Sequence, residues 1–506
     1  MRTYDMANRG NRSLYEYLYR CIREDILSGA LQPGEKLPSR RALAEHLRLS
    51  VITVEGAYRQ LEAEGYLFSR PRRGFFVAEV ETLPAAAKAA VLPPEKTREW
   101  RLDLKTNRLD AARFPLAVWT RLTRQCLSDG TFLSPCPHQG LLELRQAIAA
   151  DLTAYRGMAV SPEQIVVGAG AEYLYLLLSQ LLGRETAIAV EDPGYPKIHQ
   201  VYTAAGARVI PVALDGEGMD MEELRRSGAK AAHLSPAHQY PTGLVTPISR
   251  RQALLRWAEE PGGILIEDDY DSEFRFTGRP IPTLQSIDGS GRVVYMNTFS
   301  QTISPSMRVG FMVLPYRLLE RYRRGLDFYA CTVPVLDQQV LARFLSGGYY
   351  EQHLSRMRKE YRQRREMVLS AFGQSSFARH VRITDQGAGL HFLMYLVREK
   401  SEEELRRKAE ELGVRLSFLS EYAEKARVPR HALVVNYAGL EPERLGQAVE
   451  LLGQVFHYKI PGGRGLRGTA LTDFYPEYPY RPGGSGRPPD AQILCRFSKI
   501  PLWGYS

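Results

Sequence analysis

The chain has 506 residues, of which 44% are hydrophobic and 25% are charged, and its formal net charge is +10. This length exceeds one average domain, and the composition is that of a globular protein, which excludes collagen-like and wholly disordered chains. Five scattered cysteines show no metal-type spacing, and no apolar run approaches the length of a membrane span. We therefore expect a cytoplasmic protein with reduced thiols and no metal, and the positive charge favours an anionic partner such as nucleic acid.

Residues 1–80 carry the pattern of three helices and a hairpin. Apolar residues recur at helical spacing over residues 13–28. Ser39 and Ser50 stand where helix caps are expected and predict two further short helices. Two β-type runs flank the turn at 71–74. Together these elements predict an N-terminal winged helix-turn-helix domain of the α+β class.

The rest of the chain divides by composition into three parts. Residues 81–100 are rich in alanine and proline and predict a linker. Residues 101–457 alternate helix and strand patterns, which predicts an α/β domain with a mostly parallel sheet, followed by a smaller α+β subdomain. Residues 458–506 contain 8 glycines and 7 prolines, and we expect an unstructured tail there.

The third helix of the N-terminal domain is expected to enter the major groove of DNA. Thr53 in its first turn can bond to a base or a phosphate, and Glu55 can accept from a cytosine amine. Arginines on the second helix and on the wing suit phosphates. The alternative, that these arginines form only a solvated face, is disfavoured because the whole pattern is present. The residues predicted to contact DNA are Ser39, Arg40, Arg41, Ser50, Thr53, Arg70, Arg72 and Arg73.

Residues 14–78 resemble the GntR-type winged helix over its whole length. The matching positions are Pro38-Ser39, Thr53-Val54, Ala57-Tyr58, Ala63-Glu64-Gly65-Tyr66 and Ser69-Arg70. The resemblance implies a double-stranded DNA operator, read by a dimer. A second basic stretch at 356–365 is either a further DNA contact or, as we expect, the solvated face of a long helix.

The segment 293–311 resembles the lysine motif that anchors pyridoxal phosphate in aminotransferases. It contains Thr298-Phe299-Ser300 and Arg308 at the motif spacing, but Gln301 stands at the lysine position. That lysine is required because its amine forms the Schiff base with the cofactor, and an amide has no such amine. Residues 101–457 resemble a fold-type I aminotransferase, and the fusion to a winged helix is similar to the MocR/GabR regulators.

The resemblance assigns cofactor contacts to particular residues. Asp268, at the end of a predicted strand, is expected to pair with the pyridine nitrogen, and Tyr270 to donate to the phenolic oxygen of the ring. Tyr195 is expected to stack on the ring, and Arg308 to bind the phosphate. The predicted cofactor-binding residues are Tyr195, Asp268, Tyr270, Thr298, Ser300 and Arg308.

Several positions depart from the family pattern besides Gln301. Ala171 replaces a phosphate-binding hydroxyl, and the segment 135–140 lacks a tyrosine that contacts the neighbouring subunit in the family. Val434 stands where amino-acid-binding relatives have a carboxylate-binding arginine. Natural loss, deliberate replacement or a misread sequence would each place glutamine at 301, and the accompanying losses disfavour deliberate replacement.

Three functions remain open from the sequence. The first, which we favour, is a homodimeric transcription regulator whose aminotransferase-like domain binds pyridoxal or pyridoxamine phosphate non-covalently, without catalytic turnover. The second is a DNA-binding dimer whose large domain is only a scaffold. The third is an active aminotransferase, which Gln301 disfavours because the Schiff-base amine is missing.

Overall fold

The computed structural model describes residues 2–80, 98–106, 113–260, 262–277, 281–384, 387–397 and 401–456. The chain divides between Thr97 and Arg98 into two compact units. Most of the predicted linker and all of the predicted tail lie outside the described residues. No helix in the described ranges is long and apolar enough to cross a lipid bilayer.

The first unit contains the three helices and the hairpin that the sequence predicts, which confirms the winged helix-turn-helix. The elements are α1 (Leu14–Leu27), α2 (Arg40–Leu47), α3 (Val51–Ala63), β1 (Leu67–Arg70) and β2 (Gly74–Val77). The Ser39 hydroxyl accepts from the Ala42 amide at 3.2 Å, and the Ser50 hydroxyl from the Thr53 amide at 3.1 Å. Each cap satisfies a backbone donor that the first helical turn leaves without a partner, and so marks where its helix begins.

The second unit contains thirteen further strands among its described residues, and they form three sheets. An eight-stranded sheet has the order β4-β11-β10-β9-β8-β5-β6-β7. Strands β5, β6, β8, β9 and β10 run parallel, whereas β4, β7 and β11 pair antiparallel with their neighbours. The bounds are β3 (Leu102–Asp103), β4 (Ile165–Gly168), β5 (Ala187–Asp192), β6 (Arg208–Asp215), β7 (Gly218–Met219), β8 (Ala231–Leu234), β9 (Ile264–Asp268), β10 (Val293–Thr298), β11 (Gly310–Val313), β12 (Val381–Thr384), β13 (His391–Leu396), β14 (Val414–Arg415) and β15 (Ala432–Asn436).

Helices cover both faces of the large sheet. Along β10, Val294 and Met296 belong to one apolar cluster and Tyr295 to another, because successive strand residues point to opposite faces. A sheet buried on both sides in this way is the α/β arrangement that the sequence predicts. The helices of this unit are α4 (Leu116–Asp129), α5 (Leu142–Arg156), α6 (Ala171–Leu182), α7 (Pro196–Ala204), α8 (Met221–Ser227), α9 (Ile248–Glu259), α10 (Tyr316–Gly325), α11 (Val335–Ser346), α12 (Tyr349–Gly373), α13 (Glu402–Glu411) and α14 (Leu445–Val455).

A smaller α+β region follows the long helix α12. Strands β12, β13 and β15 form an antiparallel sheet, and β14 pairs with β3 in a separate parallel ribbon. One expectation for α12 is wrong in part. Arg364 is buried and its guanidinium donates to the Ala438 carbonyl and to Glu360, and Arg358 donates to the Glu273 carbonyl at 2.6 Å. The basic stretch is therefore amphipathic, and part of it holds α12 against the body of the unit.

Two adjacent carboxylates at the end of β9 face opposite sides of the sheet. Asp268 points to the face that carries α6, where Tyr175 donates to it. Asp269 points to the other face, where it forms a buried ion pair with Arg156 at 2.6 Å and accepts from the Tyr295 hydroxyl at 2.7 Å. A buried charge without its partner is strongly unfavourable, so the Arg156 pair fixes this end of β9.

Replacement of Arg156 by methionine is predicted to lower the free energy of unfolding by about 3–5 kcal/mol, because it leaves the Asp269 carboxylate buried without a counter-charge. Urea denaturation followed by tryptophan fluorescence measures this loss. The matched control is Arg226→Met, which removes an exposed ion pair with Glu222 and should leave the unfolding curve unchanged. Equal, small effects of both substitutions would contradict the structural role given to the Arg156 pair.

Candidate functional site

The first turn of α3 presents apolar side chains to solvent. Ile52 is 82% exposed and Val51 is 42% exposed, although both belong to the helix that carries the core residues Val54 and Leu61. Exposed apolar groups at the N-terminus of a recognition helix suit contact with a thymine methyl in the major groove. Both lie in the first turn of the helix that the sequence predicts to reach base edges in the major groove.

On the same candidate surface, one glutamate forms ion pairs with two arginines. Glu55 forms ion pairs with Arg40 at 2.9 Å and with Arg59 at 2.7 Å. The Thr53 hydroxyl lies 2.8 Å from the Ser50 hydroxyl. In the protein alone, therefore, three of the side chains expected to contact DNA (Arg40, Ser50 and Thr53) are held by neighbours, and Glu55 is positioned by two arginines. Arg59 also belongs to this candidate DNA-binding surface. It was not predicted from the sequence because it lies two turns beyond the helix cap.

The wing carries three cations at the turn between β1 and β2. The Arg70 guanidinium lies 5.3 Å from the centre of the Phe68 ring and 5.2 Å from that of Phe76, which holds it by cation–π attraction. Arg72 adopts a left-handed conformation with φ of +63°, and both it and Arg73 are exposed. Arg41 is likewise exposed on α2. The hairpin thus presents its arginines at a short turn.

The second unit contains a cavity of about 650 Å³ at one edge of its large sheet. Strands β5, β8, β9 and β10 are parallel, so their carboxyl ends meet at this edge, where α/β proteins bind ligands. All six residues predicted to bind a cofactor line the cavity, and so does Gln301. They are Tyr195, Asp268, Tyr270, Thr298, Ser300 and Arg308.

Asp268 is held by a buried polar chain. The Tyr175 hydroxyl donates to one carboxylate oxygen, and His233 Nε2 lies 3.5 Å from the same oxygen. The Tyr202 hydroxyl lies 2.9 Å from His233 Nδ1. Burial raises the pKa of Tyr175 and of Tyr202 well above the ordinary value, so both hydroxyls keep their protons. These hydrogen-bonded side chains orient the Asp268 carboxylate toward the cavity. In that orientation the carboxylate can bind a protonated ring nitrogen.

The aromatic residues of the cavity are also oriented by neighbours. The Tyr270 hydroxyl lies 3.2 Å from His238 Nδ1, which in turn lies 3.0 Å from both carboxylate oxygens of Asp271. Tyr195 is 39% exposed and contacts Tyr240 edge-to-face, with ring centres 5.8 Å apart. An aromatic ligand entering the cavity would therefore meet the partly exposed ring of Tyr195 and the hydroxyl of Tyr270.

The predicted phosphate-binding arginine is paired with a carboxylate from α6. Arg308 binds Glu172, and Lys197 lies 3.0 Å from the other oxygen of Glu172. The arginine passes over Gly170, where an added Cβ would lie 2.5 Å from the guanidinium, and the φ of +85° at this position also favours glycine. Burial alone would raise the Glu172 pKa, but the hydrogen bonds from Arg308 and Lys197 outweigh it and lower the pKa to about 2. The Glu172 carboxylate is therefore ionised and forms ion pairs with both Arg308 and Lys197.

Gln301 contributes a neutral amide to the cavity. Its Oε1 is buried and lacks a hydrogen-bond partner within the described protein. The lysines lining the cavity are Lys105, which pairs with Glu421 at 2.6 Å, and Lys197. The hydrogen bond to Glu172 raises the pKa of Lys197, so it stays protonated and is a poor nucleophile. Lys230 is not among the described residues that line the cavity.

Sequence reasoning missed several residues of this cavity. Glu172 and Tyr175 lie one helical turn apart at the start of α6, and that spacing was the available signal. Lys105, Arg415 and Glu421 carried no signal, because they come from distant segments of the chain. Val434 is fully buried in β15, as its apolar character requires. Ala171 lines the cavity without a hydroxyl, so it offers a phosphate no side-chain hydrogen bond.

Two family patterns match the chain. Residues 14–77 match the gntR family of bacterial regulatory proteins, and residues 101–452 match aminotransferase class I and II. Together these two matches cover both compact units.

Three curated relatives match this chain over three quarters or more of their own length. One is the Bacillus subtilis HTH-type transcriptional regulator YdeL, 35% identical over 87% of this chain and 96% of that protein. A second is the probable rhizopine catabolism regulatory protein MocR of Rhizobium meliloti, 32% identical over 88% and 94%. A third is the pyridoxine biosynthesis regulator PdxR of Corynebacterium glutamicum, 34% identical over 70% and 77%.

Solved aminotransferases share the fold of the second unit. The kynurenine aminotransferase of Pyrococcus horikoshii, solved in complex with PMP, is 24% identical with a TM-score of 0.63 and matches 70% of this chain and 90% of its own. LysN, an α-aminoadipate aminotransferase of Thermus thermophilus, is 25% identical with a TM-score of 0.61 over 70% and 92%. These likenesses establish a fold-type I aminotransferase architecture.

Substitution of Arg72 and Arg73 together by alanine is predicted to weaken binding to a random-sequence DNA duplex. Each lost phosphate contact removes one released counterion, so the slope of log affinity against log salt should fall by about 1.8. Fluorescence anisotropy at several salt concentrations measures the slope. The control, Arg225→Ala with Arg226→Ala, removes two adjacent exposed arginines from α8 and should leave the slope unchanged. An unchanged slope in the wing variant would exclude the wing as a phosphate contact.

Proposed function

We propose that this chain, which belongs to the MocR-type family of GntR regulators, senses a pyridoxal-phosphate-type ligand without a covalent bond to it. The chain is a DNA-binding transcription regulator that joins a winged helix to an aminotransferase-like domain. The observation that carries the proposal is the composition of one cavity, which combines Asp268, Tyr270 and Arg308 with the neutral amide of Gln301.

The residues of the cavity fit the ring and the phosphate of pyridoxal phosphate but offer no anchoring amine. When bound, the cofactor would supply an electron-poor pyridine ring. The Asp268 carboxylate would accept a hydrogen bond from the protonated ring nitrogen, and its support by Tyr175 and His233 favours that orientation. Arg308 and the first-turn amides of α6 would bind the phosphate, because a helix N-terminus attracts anions. The buried, unpartnered Oε1 of Gln301 is available to accept a hydrogen bond from the ligand.

Ligand entry would require a change in the ion pairs of Glu172. In the free protein this carboxylate engages both Arg308 and Lys197, the two cations nearest the N-terminus of α6. A phosphate competes for the same cations, so binding is coupled to release of Glu172. Arg308 and Lys197 would thus exchange the Glu172 carboxylate for the phosphate of the ligand. A local exchange of ion pairs of this kind is one way in which a ligand changes the conformational preference of a domain.

The family resemblance further supports a homodimer that places two winged helices on spaced half-sites of an operator. The relatives named for rhizopine catabolism and for pyridoxine biosynthesis show that the arrangement serves different regulated processes, so the effector of this chain is open. An active aminotransferase is the competing function. The neutral Gln301 and the protonated Lys197 argue against it, because neither supplies an unprotonated amine.

Restoring a lysine at 301 is predicted to convert reversible binding into covalent attachment. Wild-type protein incubated with pyridoxal phosphate and then reduced with borohydride should show no protein-bound phosphopyridoxyl group at this position, whereas Gln301→Lys should gain the mass of one such group. Peptide mass spectrometry locates it. The control is Gln301→Met, which matches the length of the side chain without an amine. Specific labelling of Lys105 or Lys197 in the wild type would overturn non-covalent sensing.

Replacement of Glu172 by glutamine is predicted to tighten the binding of pyridoxamine phosphate by about five-fold. It removes the carboxylate that competes with the phosphate for Arg308, and because Arg308 is half-exposed the gain is about 1 kcal/mol. Calorimetric titration measures the change, with Glu222→Gln on α8 as an exposed control. Weaker binding in the Glu172 variant would mean that this residue positions Arg308 for the ligand.

A further inference from the structure

Two cysteines that are far apart in the sequence meet at one buried side chain. Cys136 lies in the segment between a short 3-10 turn and α5, and Cys331 lies in the loop between α10 and α11. Gln338 of α11, which is fully buried, places its Nε2 3.1 Å from Cys136 Sγ and 3.4 Å from Cys331 Sγ. Both thiols are partly exposed and unoxidised.

The orientation of the Gln338 amide is determined by its other contacts. Its Oε1 accepts from the Leu141 amide at 2.7 Å, so Nε2 must face the two sulfurs. One hydrogen of Nε2 is donated to the Val333 carbonyl at 2.8 Å, and the other is shared between the thiols. The amide therefore holds Cys136 and Cys331 side by side and donates to whichever sulfur carries negative charge.

The surroundings separate the two thiols in acidity. The hydrogen bond from Cys331 lowers the pKa of Cys136 to about 6, with help from Gln338, Arg145 and His138 and against the effect of burial. The same hydrogen bond raises the pKa of Cys331, because its proton is held between the two sulfurs. A thiolate beside a protonated thiol is the arrangement of a reactive cysteine and a resolving cysteine.

We propose that Cys136 and Cys331 are a redox-modification site that closes to an intrachain disulfide when a hydroperoxide oxidises Cys136. The Cys136 sulfur attacks the O–O bond, gains one oxygen as sulfenic acid and releases an alcohol or water after protonation. The Cys331 sulfur then attacks the sulfenic sulfur. The S–O bond breaks, the S–S bond forms, and the departing hydroxide takes the Cys331 proton to leave as water. Two thiols lose two electrons in all, and the peroxide is reduced by two.

The thiol pair adjoins the segment that leads into the ligand cavity. Cys331 Sγ lies 3.6 Å from the Val167 carbonyl, and the Thr332 hydroxyl accepts from the Ala169 amide at 2.9 Å. Ala169 precedes Gly170, over which Arg308 lies. Any effect of the disulfide on ligand binding rests on the proposed function, whereas formation of the disulfide does not.

The test is treatment of the full-length protein with hydrogen peroxide, followed by peptide mapping without reduction. Wild type is expected to yield a linked pair of peptides that contain Cys136 and Cys331. Cys331→Ser should stop at a sulfenic acid on Cys136 that dimedone traps, and Cys136→Ser should give neither product. The matched control is Cys21→Ser, which should form the disulfide like the wild type. Absence of the linked peptides in the wild type would overturn the proposal.

Alkylation of the wild type by iodoacetamide gives a second readout that needs no variant. At pH 7 the thiolate fraction of a thiol with pKa about 6 is about 90-fold larger than that of a thiol with the ordinary pKa of 9.0. The thiolate of lower pKa is a weaker nucleophile, and this reduces the rate advantage by about 20-fold. Cys136 should therefore react about four-fold faster than an ordinary cysteine, and faster still than Cys21, whose pKa burial raises. Its rate should level off above about pH 7. A rate that keeps rising to pH 9 would contradict the assignment.

Discussion

The alternation of side chains at the end of β9 is the constraint on which the second unit depends. A strand must point successive residues to opposite faces, so the pair Asp268-Asp269 delivers one carboxylate to the cavity and the other to the core. Asp269 is neutralised by Arg156 and accepts a hydrogen bond from the Tyr295 hydroxyl. Asp268 is left with the Tyr175 hydroxyl as its hydrogen-bond donor, and no lysine or arginine among the described residues forms an ion pair with it. One buried ion pair thus anchors the strand while the adjacent carboxylate stays available to a ligand.

Under the proposed function, the charges in the cavity suit reversible binding of a ligand. Arg308 and Lys197 would attract a phosphate, yet both are already satisfied by Glu172 from the first turn of α6. Gln301 adds a polar atom without a charge or an amine. A ligand would therefore replace existing interactions with similar ones, and its affinity would depend on a difference between two ion-paired states. Exchange of this kind suits a sensor better than a site that must retain a cofactor through many turnovers.

Local sequence patterns predicted the helices and strands well, but they did not predict contacts between residues far apart in the sequence. Ser39 and Ser50 marked helix starts because capping is a contact within four residues. The strand that ends in Asp268 was recognisable from its apolar run. The pairings of Glu172 with Arg308 and of Cys136 with Cys331 join segments whose meeting depends on the order of strands, which periodicity does not reveal. Arg364 was misjudged for a related reason, since a cation is assigned to solvent until its buried acceptors are known.

The central claim is that the second unit binds a phosphopyridoxyl ligand reversibly, and calorimetric titration of the unmodified protein tests it most directly. Pyridoxal phosphate and pyridoxamine phosphate are titrated separately. The account predicts saturable binding of both ligands at one site per chain. Neither the aldehyde form nor the amine form should need a protein lysine to bind. Heat from neither ligand would contradict the account and would leave the aminotransferase-like domain as a scaffold for the DNA-binding unit.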